Sequence, residues 1–436
     1  MDNTAIQTSL YGQLVEHIEE RSQQWALEGK LVSSLRENAF TQFKKLGFPT
    51  TKVEDWKFTN VHNFLKDEFV VENYDATAIN KKIIKNISGL DCYTIVLHNG
   101  KYISKLSDEM PSVVALHPIH EAKNFAGFSD HFGKHINITD NHFAALNTSL
   151  YKDGLFIEIR KNVIVDKPLH FVHVSSSDKN ILIHPRNLIV VDANAEVSIV
   201  ESYVTEGDGI VFYNAVSEIV VDANAKVNHY NIQTGNNKVR LVQQVEVNQK
   251  SSSLYNNYKA SFPGIDLLRN NTNVALDGKN VESHLFGLYL SGGQQLVDNH
   301  TVVDHREPNC FSNELYKGVM KDEAKSVFNG KVFVRKDAQK TNAFQQNNNL
   351  MLSKKAVVDS KPQLEIFADD VKCSHGSTIG QFDEDALFYL RSRGIADNKA
   401  RALLVQAFAY DVTEKFAIPA IRAHVDNLIE TALNEA

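Results

Sequence analysis

Val190-Val191-Asp192-Ala193-Asn194-Ala195-Glu196-Val197 recurs thirty residues further on as Val220-Val221-Asp222-Ala223-Asn224-Ala225-Lys226-Val227. A period of about 20 to 50 residues marks stacked repeat units. Around both copies, from about Leu155 to Val358, the chain runs in short β-branched segments broken by Asn, Asp and Gly: LFIEIRKNVIV from 155, LIVVDANAEVSIVESYV from 188 and EIVVDANAKVNHYNI from 218. Such runs are strands rather than helices. Strands filling each period point to β-solenoid coils, each burying its apolar side against the next. Two similar edge turns of a β-sandwich would give the same pair of motifs.

Outward from this core the periodicity changes. Between about Ile6 and Phe48, Leu10, Leu14 and Ile18, then Leu31, Leu35, Phe40 and Phe43, recur at helical spacing with charges between them, as in amphipathic helices. The following TTKVEDWKFTNVHNF (50–64) is expected as an ordered extended segment. At the other end, Asp383, Glu384 and Asp385 form an acidic first turn, Gly394 ends that helix, and Ala400, Leu403, Leu404, Ala407 and Phe408 form a stripe on a second. Ile418, Ile421, Val425, Leu428 and Leu433 continue on a third helix starting near Pro419. A terminal unit of this kind is expected to cap the last coil and keep the stack soluble. The resulting division is a helical and mixed region over 1–150, a β-helix core over 151–380 and a helical domain over 381–436. KTNAFQQNNNLMLS (340–353) is dense in amides; lying between strand-like segments, it is expected as a ladder from coil to coil rather than a disordered tract.

The 436 residues carry 46 Lys and Arg against 53 Asp and Glu, a net charge of −7 that offers no basic field to nucleic acid. The opening residues lack a basic start followed by an apolar run, and no stretch approaches the roughly 18 apolar residues of a membrane helix. A cytoplasmic protein is expected. Cys92, Cys310 and Cys373 are too few and too scattered for a disulfide framework.

Lys372-Cys373-Ser374-His375-Gly376 sets a thiol and an imidazole two residues apart, on one side of an extended segment. That pair suits a soft metal or an iron-sulfur cluster, but two ligands leave the coordination shell incomplete. A buried Cys beside a surface His gives the same spacing with no ligand role. His300 and His305 lie close in sequence to Cys310 and form a second candidate cluster, whereas His170 and His173, three apart on a strand, fall on opposite faces. The chain contains no phosphate-binding Gly-x-x-x-x-Gly-Lys-Ser/Thr loop, no Gly-x-Ser-x-Gly elbow and no His-Glu-x-x-His helix. A carbohydrate-active β-helix enzyme would need two carboxylates facing each other across a groove. Adjacent Asp369 and Asp370 point oppositely on a strand and are expected as solvated turn residues.

The block from Phe328 to Gly394, with FNGK, AQKT, KPQLEI, ADDVKCSHG and LFYLRSRG in that order, resembles the carboxyl-terminal core of the SufB/SufD family. Weaker resemblance extends upstream through VVDH (302–305) and EDWKFT (54–59). The resemblance implies a mainly β fold, a right-handed parallel β-helix flanked by helical regions. Two positions place the chain with the SufD branch: Asn347-Asn348-Asn349-Leu350-Met351 stands where SufB resembles Cys-Asp-Ser-Leu-Leu, and Gly376 stands where SufB has a carboxylate. The resemblance further implies a non-catalytic scaffold that pairs with SufB through the β-helix and docks the SufC ATPase through its last helices. It places His375, and with it Cys373, where a transient iron-sulfur cluster or iron forms at the SufB/SufD interface. A SufB-like scaffold assembling the cluster as a homodimer is the alternative, and exposed interface strands would also support a homodimer when SufB is missing.

Overall fold

The computed structural model describes residues 5–6, 9–71, 79 and 81–434. It is mainly β, with 41% strand, 27% helix and a β-solenoid of about 8 turns. Two sheets run the length of the stack. One begins at Tyr93–His98, continues through Leu169–Ser176, Glu196–Glu206 and Lys226–Gln233, and ends at Val371–Gln381; the other begins at Val114–Pro118, continues through Leu155–Ile159, Arg186–Val191 and Val211–Val221, and ends at Val357–Ile366. Successive coils pair in parallel, and antiparallel pairs occur in these sheets only at the start, between Tyr93–His98 and Lys101–Tyr102 and between Val114–Pro118 and Leu155–Ile159.

The opening repeat explains why the stack forms. Val190 and Val191 lie beside Val220 and Val221, and Glu196 and Val197 beside Lys226 and Val227, so the sequence period equals the offset between neighbouring coils. A β-sandwich would not place the two copies in parallel register. Within each copy the Ala195 or Ala225 N–H closes a turn on the Asp192 or Asp222 carbonyl, at 3.1 and 3.0 Å. The Asn between takes φ 59° in both, a left-handed conformation that Asn tolerates better than most residues. The side chains of these corner residues also stack, Asn224 Nδ2 donating to Asn194 Oδ1 (3.1 Å) and Asn194 Nδ2 to Asn162 Oδ1 (2.8 Å). Val191, Ala195 and Val197, with their copies Val221, Ala225 and Val227, fill one continuous interior, while Val190 and Val220 face the other side of the sheet and pack on Phe128 and Phe132.

The amino-terminal helices form at Ser9–Ser22 and Lys30–Leu46. The first buries Leu10, Leu14 and Ile18 as expected, but the second buries Val32, Arg36, Ala39, Phe40 and Phe43 and leaves Leu31 exposed. The phase differs because Arg36 turns inward to Ser149 O (3.0 Å) and Tyr151 O (2.8 Å). The TTKVEDWKFTNVHNF segment (50–64) is ordered but not extended: it forms two short 3₁₀ turns, Glu54–Trp56 and Val61–Phe64, with Trp56 buried between Phe143 and Arg269.

The carboxyl-terminal helices are Glu384–Ser392, capped by Asp383, then Asp397–Thr413 and Pro419–Asn434. Asp397–Thr413 buries Ala400, Val405, Ala409 and Val412 and leaves Leu403 exposed, a stripe shifted from the expected one. The larger correction concerns position. These helices do not cap the last coil; they lie along the flank of the sheet that ends at Val371–Gln381. Val405, Val412, Phe416, Ile421, Val425 and Ile429 pack on Val200, Tyr230, Tyr258, Phe286 and Val319, five successive coils. Lys317 Nζ reaches Phe408 O at 2.7 Å and Lys321 Nζ reaches Ala432 O at 2.7 Å. The sequence had no means of separating the two placements, because an amphipathic helix buries the same stripe on a flank as on an end. Among the described residues no helix is long and apolar enough to cross a membrane.

Candidate functional site at the open coil

The end of the stack is uncovered. Val357–Ile366 is half-buried and Val371–Gln381 largely exposed, each forming the unpaired edge of its sheet, with Val357, Ile366, Phe367 and Ile379 open to solvent. One coil below, Thr341–Met351 alternates buried and exposed, with Thr341, Ala343, Gln345, Asn347 and Asn349 pointing inward. In register above them stand Val371, Cys373, His375, Ser377 and Ile379. Cys373 and His375 therefore share the inward side of the final coil, as the two-residue spacing implies, and that side is open to solvent at the end of the stack because no further coil covers it. Cys373 rests on the small cluster of Val332, Val334, Ala338 and Ala343, and burial raises its thiol pKa. His375 is exposed.

The amide-rich stretch is a strand, and its inward amides are anchored. Gln345 Nε2 donates to Glu314 Oε1 (3.0 Å), Asn347 Nδ2 to Tyr289 OH (3.0 Å), and Asn349 Nδ2 to Asn347 Oδ1 (2.7 Å). These partners are mostly a carboxylate and a phenol rather than like amides in adjacent coils.

His375, Gln345 and Glu314 form one column down the interior. Glu314 is fully enclosed, accepting from Thr301 Oγ1 at 2.5 Å and from Gln345, and burial raises its carboxyl pKa to about 7. A carboxyl whose folded pKa lies above its unfolded one stabilises the fold below the unfolded value, and that contribution is lost as pH rises through about 7. Glu314→Gln is accordingly expected to unfold at higher urea than the parent at pH 8, by about 2 kcal/mol, with the two curves converging near pH 4. A gap independent of pH would show that the carboxyl is not the cause.

Residues 173–408 match the SufBD core domain of the SUF system for FeS cluster assembly, and residues 2–171 match the SufBD protein N-terminal region. The chain belongs to the SufBD family. Among its relatives is the Escherichia coli iron-sulfur cluster assembly protein SufD, 30% identical over 90% of this chain and 92% of that protein. A SufBD family protein of Synechocystis is 29% identical over 94% of this chain and 93% of its own length, and Bacillus subtilis SufD is 27% identical over 92% and 93%.

Within this SufBD chain the other sequence candidates are dispersed. His300 Nε2 pairs with Asp298 Oδ1 (3.0 Å), His305 Nε2 with Ser312 Oγ (2.8 Å), and the buried Cys310 thiol with Gly278 O (3.2 Å), so these three residues form no common site. Asp369 and Asp370 occupy an exposed turn, as expected. His170 and His173 are turned to opposite faces, the first bonded to Ser202 Oγ (2.8 Å) and the second to Glu201 Oε2 (2.9 Å). Among the described residues no group of three or more His, Cys, Asp or Glu side chains is placed to hold a metal ion.

Sequence reading missed a polar cluster inside the solenoid. Glu201, enclosed in the core, accepts from His173 and from His229 Nε2 (2.7 Å), His229 Nδ1 meets Tyr255 OH (3.0 Å), and Tyr203 stacks on His173. Lys259 is likewise enclosed, its ammonium pKa lowered to about 8 by burial. The signal was present: in Glu201-Ser202-Tyr203 the charged residue shares the strand face of Ile199 and Val197, which point into the core.

Proposed function

We propose that this chain is a SufD-like, non-catalytic scaffold that pairs with SufB through its open coil and presents His375 and Cys373 at the junction, where iron or a nascent iron-sulfur cluster is handled as cargo. The observation carrying this reading is the uncovered last coil with both side chains on its inward side. A parallel solenoid ending in unpaired sheet edges and exposed apolar residues is built to continue onto another strand pair. Two potential ligands without a third beside them among the described residues suit a site completed by a partner. A neutral imidazole can offer a ring nitrogen to iron, and Cys373, whose thiol is held protonated by burial, would release a proton on binding. The SufC ATPase would dock on the last helices, where Phe388 is 74% exposed beside Tyr389 and Arg391, with Leu403 and Tyr410 also open. ATP-driven approach of two SufC subunits would then loosen the SufB contact and open the junction.

The test is co-purification with SufB and SufC, comparing the parent with His375→Ala for complex formation and for iron and sulfide content. An intact complex with cluster content reduced about tenfold or more is expected. Unchanged iron and sulfide would remove His375 from the site and leave only the scaffold role. A stoichiometric cluster on this chain alone after anaerobic reconstitution would favour the homodimeric, SufB-like alternative.

A further inference from the structure

We propose that His131 and His135 form a two-coordinate site for a soft monovalent metal ion, Cu(I) being the one whose chemistry fits. The two residues belong to a tight turn on the flank of the early coils, away from the open end. Helix Ala126–His131 ends there, Gly133 at φ 73° turns the chain, and the Lys134 N–H bonds back to His131 O at 3.1 Å. The turn is fixed from beneath. The enclosed Glu218 carboxylate accepts the Gly133 N–H at 2.9 Å and the His135 N–H at 3.0 Å, and is itself held by Arg186. Phe132, between the histidines, is buried against Phe128 and Tyr151, and Ile136 is buried against Ala144 and Val216. Both imidazoles remain part-exposed.

The rings meet end to end. His131 Nδ1 lies 3.3 Å from His135 Nε2, with the ring centres 5.6 Å apart and the planes inclined by 24°. Centres that far apart with nitrogens this close put both nitrogens on the line between the rings, each facing the other. As a hydrogen-bonded pair, one nitrogen donates and the other accepts. Moving the donor's hydrogen to its outer ring nitrogen aims both inner lone pairs at one point, with no net change in protonation. Partial burial lowers both imidazole pKa values, which favours the neutral rings this needs. An ion on that line, about 2 Å from each nitrogen, requires the rings to part by only about 0.7 Å.

The ligand set decides which ion. Zinc takes a tetrahedral shell and iron(II) a larger one, with bent angles between neighbouring ligands. Among the described residues no third His, Cys, Asp or Glu side chain joins this pair to build such a shell. Cu(I) accepts imidazole nitrogen and is satisfied by two ligands in line. The surroundings favour a cation. Asp130, Asp192 and Asp222 act electrostatically on His131 and Asp277 on His135, opposed by Lys134 and Lys250.

Anaerobic titration of the full chain with Cu(I), in competition with a chromophoric Cu(I) chelator, tests this. The thiols of Cys92, Cys310 and Cys373 also take up the ion, so the readout is the difference between the parent and His131→Gln/His135→Gln. The parent is expected to hold one more equivalent, and thermal unfolding of the double variant checks that its turn survives. In a Cys92→Ala/Cys310→Ala/Cys373→Ala chain the same comparison should give one equivalent against none. If that background does not fold, the difference measured with the cysteines in place still decides. Either single histidine substitution should weaken binding by more than the about 10- to 100-fold that loss of a supporting group costs a metal site. Equal uptake by the parent and the double variant overturns the proposal. So does Zn2+ held at the pair as tightly as Cu(I), which would mean a bent site completed by water.

Discussion

Arg269→Ala is expected to lower unfolding stability by about 3–5 kcal/mol, because it strips the partner from an enclosed charge and releases the amino-terminal segment at the same time. Arg269 NH1 stands 2.6 Å from Asp298 Oδ2 in the next coil, with side-chain exposures of 2% and 1%. The same guanidinium donates to Asp55 O at 2.8 Å and lies 4.4 Å over the Trp56 ring. Asp298 also accepts from Thr59 and His300. Burial alone would raise the Asp298 carboxyl pKa, but the charge on Arg269 and the bonds from His300 and Thr59 hold it well below the ordinary carboxylate value. A depressed pKa contributes stability that is present above the unfolded value and lost as pH falls through the folded one. The gap between parent and variant should therefore be widest near pH 7 and narrow below about pH 4, where the unpaired carboxyl protonates. Urea unfolding at the two pH values measures it. A loss below about 1 kcal/mol at pH 7 would mean that Asp298 finds water or another partner once Arg269 is gone.

The second large effect lies where the helical region meets the early coils. Arg186 and Glu218, both 0% exposed, pair at 2.5 Å. Glu218 also accepts the backbone N–H groups of Gly133 (2.9 Å) and His135 (3.0 Å), while Arg186 NH1 donates to Thr148 Oγ1 (3.2 Å). One ion pair thus joins two neighbouring coils to helix His142–Leu150 and to the chain that precedes it. Arg186→Met should cost about 3–5 kcal/mol by leaving the carboxylate enclosed with two N–H donors and no cation. Adding Glu218→Gln removes the stranded charge while keeping an acceptor for those donors, so the double variant should be more stable than Arg186→Met alone. If the second substitution only adds to the damage, the pair is not what orders this junction. Denaturant midpoints of the three variants decide between these outcomes.

The solenoid could be read from the sequence because a stacked fold repeats its local demands. Asp192-Ala193-Asn194-Ala195 and its copy at 222 specify the same corner, and the valines beside them point the same way in each coil. The Cys373 and His375 placement followed from strand alternation alone. Helix phase was less legible: Leu31 and Leu403 fit an apolar stripe on paper, but Arg36, drawn inward by the carbonyls of Ser149 and Tyr151, and the small residues Ala400 and Ala409 set the buried faces instead. Those choices depend on residues more than a hundred positions away or on the flat side of a sheet, which no local pattern encodes. The same holds for Trp56, whose environment is made by Arg269, and for the interior Glu201 with its two imidazoles, contributed by three coils.

The flank position of the last helices has a further consequence. In a stack where each coil touches only its neighbours, opening begins at whichever end lacks reinforcement. The helices splint the coils from Val200 to Val319, and the strand carrying Cys373 and His375 lies past the end of that splint. That strand is the part of the solenoid most prone to fraying in the unpaired chain, and contact with a second body would arrest it. On the proposed function, order at Cys373 and His375 and engagement of the partner would become one event, so a metal arriving before the partner would meet a site that is not yet fixed.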